Sequence, residues 1–143
     1  MDQEVSRYLA EMAAIQVQIM EEMSSLTQED LRLKTTQWRW NTVRRVMLRF
    51  GDHVREHTTQ LIAAREDIAS KQTMPQRMLA QAQESYGRWL GAMIGLADED
   101  LDTAPAEGEW SPRQVLEHMI QGQANYLKSI RAALETREVV DKD

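Results

Sequence analysis

Apolar side chains recur every three or four positions in two long stretches of the first half of the chain. The first stretch covers residues 5–26, and the second falls within residues 41–70. Because an α-helix turns about once every 3.6 residues, this spacing places the apolar side chains of each stretch on one face. The pattern predicts two amphipathic helices, and Asn41 is the expected N-cap of the second.

Two further helices are predicted by matching start signals in the second half. Residues 73–76 (Thr-Met-Pro-Gln) and 111–114 (Ser-Pro-Arg-Gln) each combine a cap residue, a proline in the first turn and a glutamine at the capping-box position. Helical apolar spacing follows each signal, and no stretch alternates apolar and polar residues as a β-strand does. The expected fold class is therefore all-α, a four-helix bundle.

The two longer connections, which precede the second and the fourth helix, resemble each other. Leucine, aspartate, leucine and tryptophan recur in the same order if about two residues are inserted in the second copy. The aligned pairs are Leu26 with Leu96, Asp30 with Asp100, Leu31 with Leu101, and Trp38 with Trp110. This echo predicts two related helical hairpins.

The length and composition are typical of one globular domain over residues 1–143. The chain has no cysteine, so histidine, carboxylate and water remain as metal ligands, and any thiol chemistry needs an external thiol. No apolar run approaches the roughly 20 residues that span a bilayer, and the N-terminus lacks the regions of a signal peptide. We therefore expect a cytoplasmic protein without a membrane partner.

The charge of the chain disfavours a nucleic-acid partner. The formal net charge is −6, whereas binding to a phosphate backbone needs a clustered excess of Lys and Arg. The one basic cluster contains Arg39, Arg44, Arg45 and Arg49. We interpret this cluster as a solvated rim of the second helix, and the alternative is an anion-binding edge near a pocket.

The three histidines are the strongest indication of chemistry in the chain. His53 and His57 are four residues apart, so at about 100° per residue both fall toward the apolar side of the second helix. Imidazoles at this spacing can each offer a nitrogen to one divalent ion, with a third ligand from another helix. His118, at the margin of the fourth helix's apolar face, is the only histidine left for that role. Alternatively, all three are polar helix residues without a shared ion.

The string from His53 to His57 also fits the H-x-x-E-H pattern of one zinc-peptidase class. The rest of the chain offers neither a distal glutamate motif nor a peptidase-sized fold, so we attribute this match to chance. Glu56 is expected to be solvated or to hydrogen-bond a histidine and so fix its orientation. Trp110, directly before the Ser111 cap, is expected to pack at the entry to the fourth helix or to line a pocket.

Two segments resemble motifs of the DinB-like superfamily. Residues 109–118 (Glu-Trp-Ser-Pro-Arg-Gln-Val-Leu-Glu-His) are similar to that family's tryptophan-led helix start with its histidine. Residues 42–61 end in His-Val-Arg-Glu-His-Thr-Thr-Gln-Leu and are similar to its paired histidines before a Gln-Leu pair. The usual order of the two motifs is reversed here, and a circular permutation between related hairpins would preserve the site.

The resemblance implies a DinB-like four-helix bundle that holds a divalent metal in an open pocket and often forms a homodimer. By carry-over of the motifs, the ligands would be His53, His57 and His118. The side chains expected around them or in the pocket are Glu56, Gln60 and Trp110. Characterised relatives include transferases and isomerases that use mycothiol or bacillithiol, and hydrolase-like proteins. A small-molecule substrate and an external low-molecular-weight thiol are therefore implied.

Two classes of function remain open at this point. The first is a metal-dependent enzyme, a thiol-dependent S-transferase or a hydrolase, for which zinc, nickel and iron suit histidine and water ligands almost equally. The second is a non-catalytic helical bundle that binds an apolar ligand or a metal, or acts as a dimeric interaction module. No nucleophile in the sequence identifies a catalytic residue.

Overall fold

Four long helices make up most of the structure, a computed structural model that describes residues 2–140. They are listed in chain order as α1 (Gln3–Met23), α2 (Val43–Asp67), α3 (Met74–Met93) and α4 (Pro112–Thr136). Single 3₁₀ turns lie in the two longer connections, at Asp30–Arg32 and Asp98–Asp100. Within residues 2–140 there is no β-strand, only one isolated bridge between Lys34 and Thr42. The all-α prediction is confirmed.

The helix starts follow the cap signals of the sequence, with one correction. Thr73 and Ser111 are the N-caps of α3 and α4, and in each case the glutamine three residues later completes a capping box. For α2, however, the prediction of Asn41 as N-cap is wrong by one residue. The Thr42 hydroxyl accepts the backbone N–H of Arg45, while the Asn41 side chain accepts a hydrogen bond from the Arg45 guanidinium. The threonine takes the cap because its backbone is extended directly before the first helical residue.

The chain divides into two compact units, Met1–Ile94 with α1, α2 and α3, and Gly95–Asp143 with α4. Among the described residues no hydrophobic side chain is buried. The only buried residue there is Ser111, at 8% exposure, whose hydroxyl serves as the α4 cap. The prediction of one domain over residues 1–143 stays a prediction.

The two longer connections share a local structure at their 3₁₀ turns. In the first, the Asp30 carboxylate accepts the backbone N–H of Thr27 at 2.8 Å and its hydroxyl at 2.7 Å. These hydrogen bonds lower the pKa of the Asp30 carboxyl. In the second, the Asp100 carboxylate accepts the backbone N–H of Ala97 in the same register. Asp30 and Asp100, which the sequence comparison paired, therefore each accept the backbone N–H of the residue three positions earlier. This shared contact supports two related hairpins.

Each connection is also tied to the first turn of the helix that follows it. The Val43 N–H of α2 donates to the Leu33 carbonyl at 3.0 Å, and the Arg113 N–H of α4 donates to the Leu101 carbonyl at 2.9 Å. The Arg113 guanidinium adds a two-pronged contact to the carboxylate of Asp102, at 2.6 and 3.0 Å. These contacts orient the chain just ahead of the helices that carry the histidines.

Hydropathy along the helices is interrupted by charge throughout. Across residues 2–140, no helix combines the length and the apolar character that a membrane crossing requires.

Candidate functional site

An open groove of about 1050 Å³ runs along the face of α2 in the first unit. Helix α1 supplies an apolar wall, α3 supplies a short polar edge, and the connection before α2 adds an aromatic ring. Its principal lining residues are Met12, Ile15, Ile19, Trp40, Val46, Arg49, Phe50, His53, Arg55, Glu84 and Arg88. The groove therefore places one of the predicted metal ligands, His53, beside a mixed apolar and basic surface.

His53 and His57 lie side by side on α2. Their ring centroids are 4.5 Å apart and their planes are nearly perpendicular, at 89°. Both side chains are exposed, so their ring nitrogens are accessible from solvent. Imidazoles one helical turn apart can each offer a nitrogen to one divalent ion. The predicted pairing of these two residues is therefore present in the first unit.

Gln60 orients the second of these rings. Its side-chain oxygen lies 2.7 Å from Nδ1 of His57, a distance at which the ring N–H donates to the amide oxygen. An imidazole that donates from Nδ1 keeps the lone pair on Nε2, which is then the nitrogen available to a metal. The structure thus gives Gln60 a definite contact with His57, where the sequence predicted only a place near the ligands.

Glu56 binds an arginine rather than a histidine. Its carboxylate accepts a hydrogen bond of 2.6 Å from Nη2 of Arg49, two turns earlier on α2. This hydrogen bond, reinforced by the positive charge of Arg49, lowers the pKa of the Glu56 carboxyl. Glu56 is therefore a charged, exposed partner of Arg49, which corresponds to the solvated alternative of the sequence analysis.

Arg49 in turn lies over an aromatic ring. Its guanidinium carbon is 5.2 Å from the ring centroid of Trp40, within the range of a cation–π contact. The carbonyl of Trp40 accepts a 2.7 Å hydrogen bond from the Thr35 hydroxyl, which holds this part of the connection in place. Arg49 is thus positioned by Trp40 and Glu56 together.

His118 lies on the second turn of α4, in the second unit. The Trp110 ring contacts it edge-on, with ring centroids 4.9 Å apart and an interplanar angle of 68°. The Ser111 capping box sets the start of α4 directly after Trp110. The role of Trp110 beside a metal ligand stays a prediction.

Joint ligation by three histidines stays a prediction, since His53 and His57 belong to one unit and His118 to the other. In the described part of the chain, no group of three His, Cys, Asp or Glu side chains is arranged to hold an ion. Each histidine nevertheless has a side chain in contact with its ring: Gln60 for His57, His57 for His53, and Trp110 for His118. The donor chemistry of these residues fits a divalent metal.

Helical spacing does not predict the wall that α1 contributes to the groove. The apolar stripe of α1 predicts an amphipathic helix, but not that Met12, Ile15 and Ile19 line a groove next to α2. The basic cluster predicts a solvated rim for Arg49, and no sequence pattern singles out Trp40. The signal that points to Arg49 is its spacing, because it lies one turn before His53 on the same helix.

Comparison with known proteins supports the resemblance over the second part of the chain. Residues 81–142 match the family model described as the DinB superfamily, a range that includes the end of α3, the tryptophan-led start of α4 and His118. No match was found among curated proteins or among solved structures. The similarity to the DinB superfamily therefore extends over residues 81–142 and does not include His53 or His57.

Proposed function

We propose that this protein is a divalent-metal-dependent enzyme of the DinB-like type, a thiol-dependent S-transferase or a hydrolase acting on a small molecule. His53, His57 and His118 would hold the metal, which would be zinc, nickel or iron. The proposal includes a homodimer in the cytoplasm and an external low-molecular-weight thiol as cosubstrate for the transferase reaction, since the chain has no cysteine.

The single observation that carries this proposal is the histidine pair of α2. The two rings are adjacent and exposed, and His53 lines a groove large enough for a small molecule. The hydrogen bond from His57 to Gln60 leaves Nε2 of that ring free to bind.

A histidine-bound divalent ion can lower the pKa of a bound water or thiol, or polarise a carbonyl group. The chain's own residues contribute orientation around that chemistry. Gln60 fixes the tautomer of His57, Trp110 packs against the ring of His118, and Glu56 keeps the Arg49 guanidinium in position beside His53.

The direct test is elemental analysis of untagged protein purified without a metal column. We expect about one divalent ion per chain, because three histidine ligands are enough for a site with an open coordination position. Metal-free protein that also fails to take up zinc, nickel or ferrous iron on dialysis would overturn the proposal. If the ion is present, turnover with a thiol cosubstrate is the next measurement.

The groove also favours a second candidate, a non-catalytic bundle that binds an apolar ligand. Its α1 wall is apolar, and apolar lining with a few polar groups is the usual composition of a ligand site. In that case the histidines would only line the site and offer hydrogen bonds. The two candidates differ in whether a chelator changes stability, since only a metal bound to the folded state stabilises it.

The contact between Gln60 and His57 yields a more specific prediction. Replacing Gln60 with leucine removes the acceptor for Nδ1–H, and loss of such an outer partner typically weakens metal affinity about 10- to 100-fold. Gln60→Glu keeps an oxygen acceptor and is expected to retain most of the affinity. Competition against a chromogenic chelator measures both variants. Equal affinity of the native protein and Gln60→Leu would show that the contact does not support a ligand.

A further inference from the structure

The two longer connections and the helix starts that follow them carry opposite charges. Residues 31–51, the basic segment, contain six lysines and arginines and no acidic residue. Residues 95–112, the acidic segment, contain six aspartates and glutamates and no basic residue. A surface whose charges serve only solubility has both signs interspersed. The separation of signs instead creates two local fields of opposite sign.

Five of the six cations of the basic segment have no carboxylate partner in the described part of the chain. Arg49 pairs with Glu56, and Arg45 donates to the neutral side-chain oxygen of Asn41. All five are exposed, so packing does not shield their charges from a partner. They are Arg32, Lys34, Arg39, Arg44 and Arg45. Like charges at this density repel each other, and carboxylates from a partner would relieve that repulsion.

The acidic segment offers such carboxylates. Asp102 pairs with Arg113, and Asp100 accepts the backbone N–H of Ala97. The remaining four are exposed and form neither an ion pair nor a side-chain hydrogen bond among residues 2–140. They are Asp98, Glu99, Glu107 and Glu109. Their charges are therefore available to cations outside the segment.

Both segments hold their charges on ordered backbone. A hydrogen bond from the Val43 N–H to the Leu33 carbonyl closes the loop of the basic segment. The bond from the Arg113 N–H to the Leu101 carbonyl closes the loop of the acidic segment in a similar way. Because each loop is tied at both ends, less conformational entropy is lost on binding than for a free tail.

Trp38 supplies an apolar anchor in the middle of the basic segment. Its side chain is 86% exposed. Burial of an indole removes a large apolar area from water, and tryptophan is among the residues that dominate interface energetics. In the middle of the acidic segment, residues 103–106 (Thr-Ala-Pro-Ala) are exposed and uncharged. They offer the indole an uncharged surface, with carboxylates before and after it along the chain.

We propose that the basic segment binds the acidic segment of a second copy of this chain. In a dimer with two-fold symmetry this contact occurs twice, once in each direction. The cations pair with the free carboxylates, and Trp38 packs on residues 103–106. Opposite potentials steer the two copies together and disfavour other orientations. The inference deepens the proposed function by naming the surfaces of its homodimer, and it rests on that function only in the dimer itself.

Two charge-reversed variants test the contact by sedimentation equilibrium. The first reverses the basic segment with Arg32→Glu, Lys34→Glu, Arg39→Glu and Arg44→Glu. The second reverses the acidic segment with Asp98→Lys, Glu99→Lys, Glu107→Lys and Glu109→Lys. Alone, each variant is expected to self-associate at least about tenfold more weakly than the native protein, because attraction becomes repulsion in both symmetric contacts.

Mixing the two variants is the decisive step. Each reversed segment then faces a segment of opposite charge, so we expect a heterodimer at concentrations at which neither variant self-associates. A control for net charge reverses four exposed cations outside the basic segment, with Lys71→Glu, Arg77→Glu, Lys128→Glu and Arg131→Glu. This control should dimerise as the native protein does and should not associate with the acidic-segment variant more strongly than that variant associates with itself. Circular dichroism establishes that every variant keeps its helices.

Three results would overturn the proposal. They are a monomeric native protein, a dimer that neither reversal weakens, and a mixture that stays monomeric. Attraction between the segments within one chain would give the third result, because each variant would melt at a lower temperature and mixing would not correct this.

Metal content is measured on the same samples, so the outcome separates from that of the metal proposal. Heterodimers that form from the mixed variants without bound metal would leave the interface standing and remove the metal function. A native protein that binds the metal but is monomeric would do the reverse.

Discussion

Replacing His57 with alanine is expected to weaken divalent-metal binding by more than about a hundredfold. Zinc sites with four protein ligands have apparent binding free energies of about 10–16 kcal/mol, so one ligand accounts for roughly 3 kcal/mol. Because about 1.4 kcal/mol corresponds to a factor of ten, this loss exceeds two orders of magnitude. Elemental analysis after dialysis against a buffered ion concentration measures the occupancy of both proteins.

A variant of the next residue provides the control. Thr58 is exposed on α2 and its side chain makes no hydrogen bond within the described residues, so Thr58→Ala should retain the ion at the native level. Equal occupancy in His57→Ala and Thr58→Ala would mean that His57 is not a ligand. His118→Ala, made in the same way, tests the prediction that the second unit provides the third ligand.

Removing the metal with a chelator is expected to lower the melting temperature by about 8 °C. An ion present at about one hundred times its dissociation constant stabilises the folded state by about 2.7 kcal/mol. For a domain of about 150 residues, each kcal/mol corresponds to a shift of about 3 °C. Differential scanning calorimetry with and without EDTA at constant pH measures the change.

The same experiment on His57→Ala shows whether the effect comes from the histidine site. That variant should melt at one temperature with and without chelator, because it has lost the site through which the ion acts. A native protein whose melting temperature is also insensitive to chelator would contradict the metal proposal. Such a result would favour a non-catalytic bundle whose histidines act only as hydrogen-bonding groups.

The helices could be predicted because their signals are local. Apolar spacing and the capping boxes at Thr73 and Ser111 involve residues within one or two turns of each other, and the structure confirms both starts. The error at the start of α2 has the same origin. Asn41 and Thr42 are both good cap residues, and the extended backbone at Thr42 decided between them.

Only those contacts of the candidate site that lie within one helix could be predicted from the sequence. The adjacency of His53 and His57 follows from their spacing, and so does the reach of Gln60 to His57 one turn later. The partner of Glu56 could not be chosen in advance, because a carboxylate on α2 can contact either a histidine or an arginine of the same helix. The Glu56 carboxylate contacts Arg49 rather than a histidine because a guanidinium is always charged and binds carboxylates strongly.

The amino-acid sequence alone dictates four helices, their starts and the pairing of two histidines on α2, because these features depend on contacts between near neighbours along the chain. The groove depends instead on how α1, α2, α3 and the Trp40 connection are arranged in the first unit. Helical periodicity shows which face of each helix is apolar, but it does not show which faces meet. The tertiary structure therefore gave Arg49 and the α1 wall their place beside His53, and it made the groove a candidate binding site.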